Sequence, residues 1–106
     1  MTSLPTRTVG PFTVSAIGLG CMSLSHAYLP RPDAASAERL LRHALDAGVT
    51  FFDTAALYGF GANEELVGRA LGDRRGEFTL ASKCVLAEID GQRGLDGSPA
   101  AIARVL

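Results

Sequence analysis

The alternation of apolar strands with amphipathic helices does most to restrict the possible folds of this chain. Val49–Thr54 is an almost continuous apolar run, which is typical of a β-strand buried on both faces. One helix is predicted before this run and another after it, and Phe78–Lys83 is predicted as the next strand. Strands and helices that alternate over short connections form right-handed βαβ units. We therefore expect an α/β fold in which helices cover a parallel sheet.

The helix before Val49 has the clearest pattern in the sequence. Asp33 is predicted as its N-cap, and Gly48 as the left-handed residue just beyond its C-terminus. Glu38 and Arg42 stand four residues apart on the polar face and predict an ion pair within the helix. The apolar residues recur at the spacing of one helical face: Ala37, Leu40, Leu41, Ala44 and Leu45. This face is expected to be buried.

Two further helices are predicted along the chain. Asn63 is expected to cap the second helix, because two glutamates follow it in the first turn, and Gly72 is expected to end it. The apolar stripe of this helix consists of Leu66, Val67, Ala70 and Leu71. Ser98 is predicted to cap a third helix that has Pro99 at its first position.

The remaining segments complete the predicted order of elements. Gly10-Pro11 is a turn dipeptide between β-prone runs and predicts a hairpin at about residues 7–14. Ser15–Cys21 is predicted as the first buried strand, and the polar, glycine-rich segment Glu88–Gly97 as a loop. The expected order is hairpin, β, α, β, α, β, loop, α.

Charge and cysteine content exclude several classes of protein. The net charge is −1 and the ten Lys and Arg residues are scattered, so we expect no nucleic-acid partner. No apolar run approaches the length of a membrane span, and no secretory leader is recognisable. Cys21 and Cys84 fit neither a metal-ligand spacing nor a disulfide framework, so no metal is expected. Reduced thiols indicate a cytoplasmic protein.

Three chemically useful side chains stand at or just after predicted strand ends. Asp53 ends one strand, Tyr58 follows five residues later in the loop, and Lys83 ends the next strand. Functional groups gather at such ends in parallel α/β folds. A phenol ordinarily titrates near pKa 10, and an adjacent ammonium stabilises its phenolate form. A carboxylate beside the ammonium holds it in place and keeps it charged. The trio is therefore a candidate proton-transfer site.

Four motifs make the sequence closely similar to one known family. The segment GVTFFDTAALYG at residues 48–59 resembles the signature around the catalytic Asp and Tyr of the aldo-keto reductases. NEELVGRAL at 63–71 resembles the helix that follows in that family, and ASK at 81–83 the strand that ends in its catalytic Lys. IGLGCM at 17–22 is similar to the first strand of the family. The resemblance extends from about Arg7 to the end of the chain, in the order and spacing of the family.

The resemblance implies the N-terminal part of a (β/α)8 TIM barrel, about three of its eight strands, below which the N-terminal hairpin packs. It also implies NADPH (NADP+) as cofactor and a small-molecule aldehyde or ketone as substrate. Tyr58 would be the proton donor, Lys83 the cation that tunes it, and Asp53 the partner of Lys83. The implied cofactor-binding residues are Gly20, Cys21, Met22 and Asp53.

Residues 1–106 are thus expected to be a partial aldo-keto reductase barrel domain that stops within a helix. The family's catalytic His follows its fourth strand, and its phosphate-binding loops follow the seventh and eighth; neither falls within this sequence. His26 cannot inherit that role, since the His motif belongs to another strand, although a substrate contact by His26 is possible. His43 lies on the polar face of a helix and is expected to be solvated.

Three alternatives to an active reductase remain open at this point. A fragment with no catalytic activity of its own would leave unpaired strand edges and exposed apolar surface. A regulatory relative would bind the cofactor with little turnover. An open, doubly wound fold is disfavoured because Ser23 stands where the dinucleotide fingerprint beginning Gly18-Leu19-Gly20 needs glycine. The sequence specifies neither the substrate, nor a preference for NADPH over NADH, nor the oligomeric state.

Overall fold

The structure is a computed structural model, which describes residues 4–25 and 30–105. The strands and helices are β1 Thr6–Val9, β2 Phe12–Ser15, β3 Leu19–Gly20, α1 Ala34–Asp46, β4 Phe51–Asp53, α2 Ala62–Leu71, β5 Thr79–Ala81, β6 Leu86–Ile89, β7 Gln92–Leu95 and α3 Pro99–Val105. Short 3₁₀ turns occupy Met22–Leu24, Tyr58–Gly61 and Gly72–Glu77. The predicted order is confirmed up to β5, and a further hairpin precedes α3.

The central element is a parallel sheet in the order β3-β4-β5. Gly20 of β3 is in register with Asp53 of β4, which in turn is in register with Ala81 of β5. The carboxyl ends of the three strands therefore lie side by side. The N-terminal hairpin, β1 with β2, forms a separate antiparallel pair, as predicted.

The first helix begins and ends as the sequence predicts. Asp33 caps α1, its carboxylate accepting a hydrogen bond of 2.7 Å from the backbone N–H of Ser36. Gly48 adopts a left-handed conformation with φ of 105° just beyond the helix. Of the predicted face, Ala37, Leu41 and Leu45 are buried and Ala44 is half-buried. Leu40 is a correction, because it is 45% exposed at the edge of that face.

The ion pair predicted within α1 is replaced by contacts between helices. Arg42 turns to the end of α2, where it donates to the carbonyl of Ala70 at 2.7 Å and pairs with Asp73 at 3.0 Å. Glu38 pairs with Arg69 of α2 at 3.4 Å. These pairs are exposed to solvent, so each adds little to the stability of the fold. They follow from the packing of the two helices, which a pattern within one helix does not reveal.

The apolar core lies between the central sheet and these two helices. Its buried members are Cys21, Ala37, Leu41, Leu45, Phe52, Leu66, Val67, Ala70, Leu71 and Phe78. Phe52 of β4 is fully buried and meets the ring of Phe78 edge-on, with centroids 5.5 Å apart and an interplanar angle of 76°. This packing fixes β4, the strand that ends in Asp53.

The predicted first strand is wrong in its extent. Ser15 belongs to β2, only Leu19 and Gly20 pair with β4, and Ile17 is 64% exposed. The reason is a pair of reciprocal hydrogen bonds between Ser15 and Thr50. Ser15 N–H donates to Thr50 Oγ1 at 2.8 Å, and Thr50 N–H donates to Ser15 Oγ at 2.9 Å. These two hydrogen bonds keep Ser15 at the end of the hairpin.

The segment Glu88–Gly97 is not the loop predicted but carries most of a second hairpin, β6 with β7. Its turn consists of Asp90 and Gly91, both with positive φ, 50° and 78°. An Asp-Gly pair is a strong signal for such a turn, because both of its central residues need left-handed backbone. The polar composition of the flanking residues concealed this signal.

Candidate active site

The site is built where β4 and β5 end. Asp53 is the last residue of β4, and Lys83 lies two residues beyond β5. Pairing of the backbone continues past both strands: Thr54 N–H donates to Ala81 O at 2.8 Å, and Ala56 N–H donates to Lys83 O at 3.1 Å. These bonds bring Lys83 alongside the loop that carries Tyr58.

The Lys83 ammonium is the centre of the site. Its Nζ donates to Asp53 Oδ2 at 2.9 Å, to the carbonyl oxygen of Thr54 at 2.9 Å and to the Tyr58 hydroxyl at 3.2 Å. An ammonium has three protons, and each has an acceptor here. Nζ also lies 4.9 Å from the centroid of the Tyr58 ring. The structure thus brings together the acid, the phenol and the amine singled out from the sequence.

The electrostatics of the site favour a charged lysine. Partial burial of Lys83 acts to lower its pKa, but hydrogen bonds to Asp53 and Tyr58 outweigh that effect and hold the pKa above its usual value. Half of each side chain stays open to solvent, 50% for Lys83 and 45% for Asp53. A proton can therefore reach the cluster from bulk water.

Tyr58 is held by a tight left-handed turn. Gly59, Phe60 and Gly61 have positive φ values of 60°, 54° and 98°. A side chain at Gly59 would approach the carbonyl oxygen of Ser25 to 3.0 Å, so this position needs glycine for space as well as for conformation. Gly61 is the N-cap residue of α2, which begins at Ala62.

Asn63 is therefore not the N-cap that the sequence predicts. It lies inside α2 and is fully buried. Its Oδ1 accepts from the Thr54 hydroxyl at 2.5 Å, and its Nδ2 donates to Cys21 O at 2.7 Å and to Ser25 Oγ at 2.8 Å. The sequence prediction is wrong because a polar residue ahead of two glutamates matches the pattern of a helix start. The hydrogen bonds of Asn63 to residues distant in the sequence leave no local signal.

The predicted cofactor-binding residues lie at the end of β3, beside Asp53. Gly20 has open space where a side chain would project. Cys21 N–H donates to Asp53 O at 2.9 Å, which ties this loop to β4. The Cys21 thiol is buried and directed to the Leu19 carbonyl, so the backbone of Cys21 is the part near the site. Met22 is half-buried in a 3₁₀ turn.

Burial raises the pKa of the Cys21 thiol from 9.0 to about 11, and this makes a testable difference between the two cysteines. At neutral pH we expect Cys21 to react with iodoacetamide at least about tenfold more slowly than the half-buried Cys84. The folded thiol ionises at a higher pH than the unfolded one. Its contribution to stability is therefore complete below pH about 9 and is lost as the pH rises through about 11.

Mass spectrometry of the labelled peptides measures both reaction rates. Equal rates for Cys21 and Cys84 in folded protein would contradict the buried position of Cys21. Labelling in denaturant is the control, because both thiols are then exposed.

Two histidines of the sequence could also bear on the site. His43 is exposed on α1, as expected, whereas His26 lies outside the described residues. Within 4–25 and 30–105, no three His, Cys, Asp or Glu side chains are grouped as metal ligands would be. In the same ranges no helix is both long enough and apolar enough to cross a bilayer.

The chain is similar to known proteins in both sequence and fold. A sequence profile of the Aldo/keto reductase family matches residues 16–105. The aldo-keto reductase yakc [NADP(+)] of Schizosaccharomyces pombe is 49% identical over 83 residues, which are 76% of this chain and 24% of that protein. This chain therefore spans about a quarter of its curated relative.

Solved structures show the same likeness. The holo form of aldo-keto reductase AKR11C1 from Bacillus halodurans matches with a TM-score of 0.82 and 35% identity, over 95% of this chain and 33% of that one. An aldo-keto reductase from Klebsiella pneumoniae in complex with NADPH matches with a TM-score of 0.54 and 33% identity, over 77% of this chain and 28% of that one. The predicted fold, the N-terminal part of a (β/α)8 barrel with a leading hairpin, is confirmed. The chain belongs to the aldo/keto reductase family.

Proposed function

We propose that the protein is an NAD(P)H-dependent oxidoreductase that reduces an aldehyde or ketone to an alcohol. The observation that carries this proposal is the three-way contact of the Lys83 ammonium with Asp53, Thr54 and Tyr58. A relative in Schizosaccharomyces pombe is named for NADP(+), and a Klebsiella pneumoniae relative is described in complex with NADPH. Both names support NADPH as the cofactor.

Reduction of a carbonyl needs a hydride at carbon and a proton at oxygen. NADPH, when bound, would supply the hydride. Tyr58 is the proposed proton donor: its O–H bond breaks as the new O–H bond of the alcohol forms, and the tyrosine is left as a phenolate. The Lys83 ammonium, 3.2 Å from the Tyr58 oxygen, stabilises that negative charge. Asp53 keeps Lys83 charged and directed at the phenol.

Proton return follows from the exposure of the cluster. Because half of the Lys83 side chain and nearly half of the Asp53 side chain are open to solvent, water can reprotonate the phenolate after each turnover. The phenolate oxygen is already a hydrogen-bond acceptor from Lys83, so a proton can also pass along that contact.

The proposed cofactor contacts are at the end of β3. Open space at Gly20, in register with Asp53, fits a flat ring laid against the backbone. Gly20, Cys21, Met22 and Asp53 would hold the nicotinamide end of NADPH, with Cys21 contributing its backbone.

We further propose that residues 1–106 are part of one barrel domain, and that the protein acts in the cytoplasm on small molecules. The two free thiols support that location.

The function is tested by measuring NADPH oxidation by the full-length protein with a panel of aliphatic and aromatic aldehydes and ketones. We expect turnover on the order of 1–10³ s⁻¹ with at least one carbonyl and negligible oxidation without one. Cofactor binding is followed separately by the fluorescence of NADPH. Tight binding of NADPH without turnover on any carbonyl would contradict the proposal and favour a regulatory role.

A further inference from the structure

We infer that Asn63 and Thr54 are positioning residues for the proposed proton transfer: the buried Asn63 amide fixes Thr54, whose carbonyl oxygen holds the Lys83 ammonium. This inference rests on the proposed function, because it assigns these two residues to the same reaction. Neither side chain is part of the acid, phenol and amine trio.

The anchoring begins with Asn63, which is fully buried in α2. Both protons of its Nδ2 have acceptors, Cys21 O at 2.7 Å and Ser25 Oγ at 2.8 Å. Its Oδ1 accepts from the hydroxyl of Thr54. A side chain bonded at three points and sealed from water has one orientation, since any rotation leaves a buried polar group unpaired. Asn63 therefore offers Thr54 a fixed partner.

Thr54 connects the buried Asn63 amide to the Lys83 ammonium. It is 1% exposed, its N–H donates to Ala81 O at 2.8 Å, and its hydroxyl is held by Asn63. These two bonds hold the Cα of Thr54, and the bond from Ala56 N–H to Lys83 O at 3.1 Å restricts the chain that follows. The Thr54 carbonyl placed in this way accepts from Lys83 Nζ at 2.9 Å. The Asp53 carboxylate that also accepts from Lys83 is 45% exposed. The Thr54 carbonyl is therefore the rigid acceptor from which the ammonium is aimed at the phenol.

The same amide also reaches the loop after β3. Cys21 and Ser25, the acceptors of Nδ2, flank the 3₁₀ turn that begins at Met22. A carboxylate at position 63 would direct oxygen at the Cys21 carbonyl, where the amide now donates. Asparagine therefore suits this position in shape and in its two kinds of polar atom.

The experiment compares Thr54→Val, which keeps the shape but removes the hydroxyl, with Thr54→Ser, which keeps the hydroxyl. In the full-length protein we expect Thr54→Val to lower kcat about tenfold with KM for the carbonyl little changed, since a slightly misplaced catalytic group acts on the chemical step. Thr54→Ser is expected to retain kcat within about threefold of the wild type. Asn63→Leu, which keeps the branching but removes the acceptor of the Thr54 hydroxyl, is expected to lower kcat as Thr54→Val does.

A matched control lies at the other end of the sheet. Ser15 is also buried and joins two segments through its side chain, accepting from Thr50 N–H and donating to Ile17 O at 2.6 Å. Ser15→Ala is expected to lower the melting temperature and leave kcat unchanged. Full kcat in folded Thr54→Val or folded Asn63→Leu would overturn the inference. Equal losses in Thr54→Val and Thr54→Ser would overturn it as well.

A second readout does not depend on turnover. Lys83 is the single lysine of this sequence, so acylation of its amine by acetic anhydride can be followed on one peptide by mass spectrometry. Release of Nζ from the Thr54 carbonyl is expected to raise the labelling rate severalfold in Thr54→Val and not in Ser15→Ala. An unchanged rate would overturn the inference. If the wild type fails to reduce any carbonyl, the proposed function fails, whereas the labelling still tests how Lys83 is held.

Discussion

Replacing Tyr58 with phenylalanine is expected to lower kcat for carbonyl reduction by about 10²–10⁴-fold, the range found when a general acid is removed. The substitution keeps the aromatic ring, whose centroid lies 4.9 Å from Lys83 Nζ, and removes only the hydroxyl that accepts from Lys83 at 3.2 Å. Because the ring remains, NADPH affinity is expected to change by no more than roughly twofold. Steady-state kinetics and fluorescence titration of NADPH measure the two effects separately.

The control for Tyr58→Phe is Thr13→Val, which removes an exposed hydroxyl from β2, away from the strand ends. It is expected to leave both kcat and NADPH affinity unchanged. A Tyr58→Phe protein that binds NADPH normally and turns over at the wild-type rate would remove Tyr58 from the role of proton donor.

Replacing Lys83 with methionine is expected to have an effect on kcat of similar size, about 10²–10⁴-fold, through loss of electrostatic stabilisation. Methionine is unbranched like lysine but lacks the ammonium, so Asp53, Thr54 and Tyr58 all lose their donor. Since Lys83 and Tyr58 act as one unit, adding Tyr58→Phe to Lys83→Met should cost much less than the product of the two separate losses. Independent, multiplicative losses would contradict a shared proton-transfer unit.

The pH dependence of the lysine follows from the direction of its pKa shift. The hydrogen bonds to Asp53 and Tyr58 outweigh partial burial and raise the pKa of Lys83, so the ammonium persists at neutral and moderately alkaline pH. Its contribution to stability is complete below the pKa of an unfolded lysine and is lost as the pH rises through the folded value. In Lys83→Met this alkaline loss should be absent, which thermal melts at a series of pH values would measure.

The elements that sequence reasoning identified correctly are those with local causes. The cap at Asp33 and the left-handed Gly48 are set by residues within a turn of each other, and α1 runs between them as predicted. The site was found because Asp53 and Lys83 follow strands that the apolar pattern predicts. Because β4 and β5 are neighbouring parallel strands, their carboxyl ends bring Asp53 and Lys83 together.

The elements that sequence reasoning missed depend on distant partners. The apolar run after Ser15 predicts a buried strand, yet the hydrogen bonds between Ser15 and Thr50 keep Ser15 at the end of the hairpin. Asn63 matches the pattern of a helix start, although its hydrogen-bond partners are 9 to 42 residues away. Contacts at such separations follow from packing, and a single sequence carries no periodic trace of them.

Two neighbouring residues of β4 serve different purposes, one in the apolar core and the other in the candidate active site. Phe52 is fully buried in the apolar core, and the next residue, Asp53, directs its carboxylate to Lys83. Side chains alternate along a strand, so a shift of one position reverses every assignment. A residue inserted or deleted between Gly48 and Phe51 that shifted β4 by one position would turn Asp53 toward the apolar core and Phe52 toward Lys83. The length of the connection between α1 and β4 therefore bears on the chemistry of the site as well as on the stability of the core.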